Sequence, residues 1–182
     1  MKILHYSDKS SPNLLSLYER ADIFVTTGDL HYLDFCGLGE RTNKKPAFGV
    51  YGNHDSGRYF ESIGITDLHN RVVEYRGLKW GGFQGCLRYK QADSPMFSES
   101  EACIFADNFP YVDVLLLHAG PKGMLDDPSD QPHTGSEGIR RYVLEKKPKV
   151  VFLGHQYSDA FMQADPTRLY RTYGARLIDE FS

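Results

Sequence analysis

With 182 residues, 41% hydrophobic and 25% charged, the chain has the composition of a soluble globular protein, which excludes the disordered and low-complexity classes. Its length suits one domain spanning 1–182 with a sizeable core. A net charge of -3 supplies no surplus of cations to displace counterions from nucleic-acid phosphates, so nucleic-acid binding is not supported beyond a local basic patch.

Cys36, Cys86 and Cys103 form no CxxC pair, which argues against a disulfide framework or a thiolate zinc site and for a reducing cytoplasm. The start MKILHYSDKS lacks an apolar run of signal-peptide length. No run of about 18 apolar residues offers a membrane span. The expectation is a cytoplasmic protein with no membrane partner.

In chain order, KILHY stops at Ser7-Asp8, ADIFVTT at Gly28-Asp29 and AFGVY at Gly52-Asn53-His54-Asp55. VDVLLLH then runs into Ala119-Gly120-Pro121, and KVVFL into Gly154-His155. Each run is short, bounded by turn residues and rich in β-branched or aromatic side chains, so each is expected to be a buried strand.

Between them, PNLLSLYERA, with Leu14, Leu15, Leu17 and Tyr18, has helical spacing, as does GSEGIRRYVLEKKP, with Ile139, Tyr142 and Val143. The alternation implies α/β architecture with a largely parallel sheet. NRVVEYRGLKWGGFQGCLRY, with Gly77, Gly81, Gly82 and Gly85, reads instead as hairpins, as does the tail RLYRTYGARLIDEF. A second, antiparallel sheet layer is expected, closed by that tail, with Trp80 as packing.

In an open α/β sheet, groups just beyond the carboxyl ends of the strands converge on one crevice. Here those ends carry Asp8, Asp29, Asn53 with His54, His118, and His155. Singly, such an Asp reads as a cap or turn residue and such a His as a core histidine. Together, carboxylate, carboxamide and imidazole at equivalent places suit a borderline or hard divalent ion. Manganese is the first choice, with Fe, Zn, Co or Ni as alternatives.

These residues resemble the calcineurin-like metallophosphoesterases, whose blocks run D-x-H, G-D, G-N-H-D/E, a later H, and G-H-x-H. The corresponding stretches are SDKS from 7 to 10, TGDL from 27 to 30, YGNHDS from 51 to 56, LLLHAGPKGMLD from 115 to 126, and LGHQY from 153 to 157. The resemblance implies a four-layer α/β/β/α sandwich with mixed sheets. It also implies hydrolysis of a phosphodiester or phosphomonoester, with a small phosphate ester or nucleotide as partner.

On that resemblance Asp29 bridges two metals, and Asn53, His118 and His155 complete the second. The first takes both residues of D-x-H and the last histidine of G-H-x-H. His54 would contact the phosphate or protonate the leaving alkoxide, and Asp55 would orient the His54 imidazole.

The chain departs from the pattern twice. Asp8 is present, but the D-x-H histidine is Ser10 and the last histidine is Tyr157, and both missing imidazoles belong to the first metal. Three readings follow. One is a mononuclear phosphoesterase, with Lys9, Lys122 or an arginine replacing part of the lost charge. Another is a dinuclear site rebuilt from Asp8, Tyr157 and either His31 or His133. The third is a degenerate scaffold acting as a ligand- or protein-binding module. Tyrosine is a rare ligand to divalent ions because its phenol must ionise to bind well.

Other features read more plainly. Ser136 is placed to cap the helix near Glu137, and LDDPSDQ lacks the spacing of a calcium loop. Arg140, Arg141, Lys146, Lys147 and Lys149 read as the wet face of a helix. Tyr32, Tyr59 and Tyr89 are candidates to stack on a nucleobase.

Overall fold

The computed structural model describes residues 1–41, 44–56 and 58–181. Its first sheet has five strands. β1 (Lys2–Ser7), β2 (Ile23–Thr26), β3 (Ala47–Gly49) and β4 (Thr66–Asp67) run parallel. The second sheet has six strands. Its parallel centre is β6 (Leu78–Phe83), β9 (Val114–Leu117), β10 (Val150–Leu153) and β12 (Thr167–Arg171). β5 (Val72–Tyr75) and β11 (Ala160–Ala164) flank this centre as antiparallel hairpin partners. A short parallel pair joins β7 (Cys86–Leu87) to β8 (Met96–Phe97).

Helices cover the outer faces and the two sheets face each other, giving the α/β/β/α sandwich. Between the sheets, Ile3, Ile23, Val25 and Phe48 meet Trp80, Val114, Leu116, Val150 and Phe152. Outside the first sheet, α1 (Leu14–Arg20) puts Leu14 and Tyr18 against Leu4, Tyr6 and Phe24. Outside the second, α2 (Glu99–Asn108) and α3 (Glu137–Lys146) put Phe105, Ile139, Tyr142 and Val143 against Leu115, Leu117, Val151 and Leu153. Each such fully buried side chain contributes about 1.5–3 kcal/mol. Strands β9 and β10 are buried along their whole length, which explains why both read as unbroken apolar runs.

Two expectations need correction. The glycine-rich middle is a hairpin only at β5–β6; β6 then joins β9 in parallel, so the second sheet is not antiparallel throughout. The tail does not close one sheet. Its first half is β12, while its second half, β13 (Gly174–Asp179), crosses to pair antiparallel with β1. Strand β1 would otherwise present an open edge of unpaired N–H and C=O groups.

Helix α2 had a readable signal, the S-x-x-E box, in which the Ser98 hydroxyl accepts from Glu101 N and the Glu101 carboxylate accepts from Ser98 N. At α3, Ser136 caps as expected, accepting from Ile139 N at 3.2 Å. Among the described residues, no helix is long and apolar enough to cross a membrane.

The register aligns the carboxyl ends. Leu117 pairs with Leu153 and with Phe83, and Tyr6 with Thr26, so the residues that follow these strands lie along one rim. At the opposite end Asp113 ties three strands together. Its carboxylate accepts from Lys79 N at 2.8 Å, from the Tyr111 hydroxyl at 3.0 Å and from Lys149 Nζ at 2.9 Å. Burial pushes its carboxyl up, but those donors outweigh burial and hold it below the usual carboxylate range.

Asp113→Ala should therefore cost about 1.5–3 kcal/mol near neutral pH, as for hydrogen bonds to a charged group, measured by urea unfolding. A depressed carboxyl stabilises the fold above its unfolded pKa of about 3.9. The gap between wild type and variant should thus close as pH falls below about 4.

Candidate metal centre

The loops at this rim are built for close approach. Asp8, Asp29 and His155, each immediately or nearly after a strand, take left-handed backbone angles, with φ of 64°, 54° and 67°. Such conformations cost non-glycine residues about 1–3 kcal/mol and persist only where the surroundings impose them. A Cβ on Gly52 would strike the Asp29 carboxylate and approach His118 Cε1 to 2.6 Å. One on Gly154 would strike Ser7 and Asp8. Glycine in these two loops is thus a steric requirement of the site.

Asp55 clamps two of the loops together. Its carboxylate accepts from Asp29 N at 2.9 Å, Leu30 N at 3.2 Å, Gly52 N at 2.6 Å and the Tyr59 hydroxyl at 2.6 Å. These donors occupy the oxygens that were expected to orient the His54 imidazole. Asp55 fixes Asp29 and Gly52 instead.

Four ligand-type atoms converge at the centre. His118 Nε2 lies 2.9 Å from Asn53 Oδ1, 3.0 Å from His155 Nδ1 and 3.2 Å from Asp29 Oδ2. Both rings are buried, and each is held from behind by a carbonyl. His118 Nδ1 donates to Thr27 O at 2.7 Å and His155 Nε2 donates to Pro132 O at 2.7 Å. Neutral rings with those protons leave His118 Nε2 and His155 Nδ1 as bare lone pairs facing each other, beside a carboxylate and a carboxamide oxygen. A divalent cation satisfies such a set, and outer carbonyls on both imidazoles are the usual support for metal-ligating histidine. The residues fit a metal.

Without an ion, a proton takes its place. Burial alone would lower the His118 imidazole, but Asp29, with Asp8 and Thr27 O, holds it up at about 9. Burial and the His118 charge then push His155 down to about 3.

A family profile described as calcineurin-like phosphoesterase matches residues 1–159. The chain belongs to that family. Among solved structures, TT1561 of Thermus thermophilus superposes with a TM-score of 0.61 at 12% identity, covering 93% of this chain and 88% of the other. The phosphopantetheinyl hydrolase PptH from Mycobacterium tuberculosis gives 0.59 at 11%, with 93% and 88% covered. An archaeal phosphodiesterase gives 0.53 at 16%, with 94% and 82% covered. At these identities the likeness is one of fold. No curated protein matches the chain.

Within this member of the calcineurin-like family the remaining candidates separate. His54 is exposed; its backbone N–H donates to Asp29 Oδ1 at 2.7 Å. Asp8 lies beside the centre but outside the converging group of Asp29, His118 and His155. Its carboxylate accepts from Ser7 Oγ and from His155 N. Ser10 and Lys9 are exposed, with Lys9 Nζ 5.1 Å from the centre of the Tyr173 ring.

Tyr157 is 73% exposed and stands edge-on to His133 and Tyr173, at 5.1 and 6.0 Å. It is a surface aromatic here. His31 is also placed elsewhere. Its Nδ1 accepts from Leu33 N at 3.3 Å and caps a 3-10 turn over Tyr32–Phe35. His133 does come close, its ring centre 4.7 Å from that of His155, but its Nδ1 is 2.6 Å from Asp130 Oδ2.

Several contributors had no sequence signal. Thr27 and Pro132 act through backbone carbonyls, which any residue type carries. Tyr59, a candidate for base stacking, has its hydroxyl 2.6 Å from both Asp55 Oδ1 and Leu30 O, with a single proton to share between them. The Tyr89 hydroxyl accepts from Asn53 Nδ2 at 3.4 Å, which turns the amide oxygen toward His118.

An ion must displace the proton that His118 holds up to about 9. Binding near neutral pH should release about one proton, and apparent affinity should rise roughly tenfold per pH unit below that value. Calorimetry in buffers of differing ionisation enthalpy measures the release. A pH-independent affinity would show that the metal does not meet this imidazole.

Proposed function

We propose that the chain is a divalent-metal-dependent phosphoesterase with one well-formed metal site, held by Asp29, Asn53, His118 and His155, for which manganese is the best-suited ion. The observation that carries this is the meeting of four lone-pair atoms about His118 Nε2, with the proton of each ring committed to a carbonyl on its far side. An ion there supplies Lewis-acid polarisation of a phosphoryl oxygen and acidifies water toward neutral pH.

The chain's own groups do the rest. Asp55 holds the Asp29 and Gly52 loops at fixed spacing, and Thr27 and Pro132 fix the two imidazole tautomers. His54, exposed and tied by its backbone to Asp29, is the residue whose ring would meet a phosphate oxygen or deliver a proton to the leaving alkoxide. The open setting of His54 suits phosphodiesters as well as monoesters, nucleotides among them. Three free thiols, Cys36, Cys86 and Cys103, support a reducing cytoplasm as the place of action.

A binding module on the same fold is the second reading. The observation that favours it is that the two positions that would complete another metal are Ser10 and Tyr157, both exposed.

Protein loaded with manganese and desalted should retain about one ion per chain and hydrolyse an aryl phosphodiester. His54→Ala should keep the ion and lose about 10²–10⁴ in turnover, the range for general acid–base groups. His118→Ala should lose both. Two tightly held ions would sink the single-metal reading. Absence of hydrolysis across metals and esters, with the ion still bound, would leave the binding module.

A further inference from the structure

We propose that Asp8, at the place where the family has a metal ligand, is a positioning residue: it holds the backbone of His155 and does not bind an ion. The inference rests on the single-ion reading above. Both Asp8 oxygens lie 3.0 Å from His155 N, and Oδ2 also accepts from the Ser7 hydroxyl. The residue so held is one of the two buried histidines of the centre and has φ of 67°, so something must impose its conformation. A carboxylate on its N–H does that. Gly154 admits the carboxylate, since a Cβ there would occupy the space of Asp8 Oδ2 and Ser7 Oγ.

A directed line of hydrogen bonds reaches back from Asp8 into the core. An ionised carboxylate only accepts, so Ser7 Oγ donates to it. Ser7 Oγ must then accept from Thr27 Oγ1, 2.7 Å away. Thr27 Oγ1, its proton spent, accepts from His5 Nε2 at 2.9 Å. This places the His5 proton on Nε2 and leaves Nδ1 as a bare acceptor. That agrees with the absence, among the described residues, of any partner for the buried His5 Nδ1.

Thr27 thus serves both histidines, its carbonyl orienting His118 and its hydroxyl reaching His155 through Ser7 and Asp8. The line joins β1 and the end of β2, in one sheet, to the end of β10 in the other. It fixes the gap that the two imidazoles must span.

Equilibrium dialysis with manganese, read by elemental analysis, tests the assignment without reference to turnover. Wild type and Asp8→Asn should each bind one ion with affinities within about threefold, because a carboxamide oxygen still accepts from His155 N. Asp8→Ala should bind one ion at least about tenfold more weakly, the usual cost of losing an outer partner. Two ions in wild type falling to one in Asp8→Asn would make Asp8 a ligand and overturn the proposal. Undiminished affinity in Asp8→Ala would also overturn it.

Should Asp8→Ala fail to fold, Ser7→Ala leaves the carboxylate in place and removes the donor behind it, together with the acceptor of the Thr27 hydroxyl. It should weaken the ion several-fold, and an unchanged affinity refutes the line. In metal-free protein, the His155 amide proton should resonate downfield and move upfield in Asp8→Ala or, less far, in Ser7→Ala. If it stays in place, Asp8 does not hold it. Wild type that retains no ion would sink the metal reading alone, and the amide shift would then decide the role of Asp8.

Discussion

Two imidazole nitrogens 3.0 Å apart, each with its ring proton drawn to a carbonyl on the far side, repel unless something positive lies beside them. That constraint organises the whole rim. The Asp29 carboxylate and the Asn53 carboxamide add two more electron-rich oxygens to the same small volume, and a buried set of this kind is stable only with a proton or a cation among them. The proton held by His118 in the metal-free protein and the ion of the proposed enzyme are alternative answers to one electrostatic demand. Catalysis would use the answer that can also polarise a substrate.

The sheets make the demand geometrically possible. His118 follows β9 and His155 follows β10, and these strands pair in register through Leu117 and Leu153, so the imidazoles start from adjacent backbones. Asp29 and Asn53 arrive from the facing sheet. The apolar layer between the sheets, with Phe48, Trp80 and Phe152, sets the distance across which they meet. Asp113, at the far end of β9, locks the register whose effect is felt at His118. Packing in the sandwich and chemistry at its rim are therefore one problem.

Much of this was legible from residue types. Short apolar runs ending in Gly-Asp, Gly-Asn-His and Gly-His predicted both the strands and the edge at which they end, because burial demands the run and the turn demands the glycine. What the sequence hid is of two kinds. Pairing partners are long-range facts, so nothing in RLYRTYGARLIDEF announced that β12 and β13 join different sheets. Partners that act through the backbone, such as Thr27 O and Pro132 O, leave no mark on the choice of residue. His31 misled for the opposite reason: a ligand-type ring two residues past Asp29 is used as a turn cap, which proximity in sequence cannot distinguish from ligation.

The absence of imidazoles at positions 10 and 157 has a consequence for the Asp8 carboxylate. In a site with two ions, the half-buried Asp8 would be neutralised by a cation. On the single-ion reading that cation is missing while the charge remains, and desolvation pushes its carboxyl up to about 6, a measure of how poorly the surroundings tolerate it. Neutral donors must take over, and the donors within reach are the Ser7 hydroxyl and the His155 N–H. The same substitution of donors for metal ties Asp8 to the loop of a histidine that would serve the single proposed ion. Losing two ligands from one metal would then strengthen the mounting of the other, so the departures from the family pattern fit a site that has been simplified to one ion more readily than one left to decay.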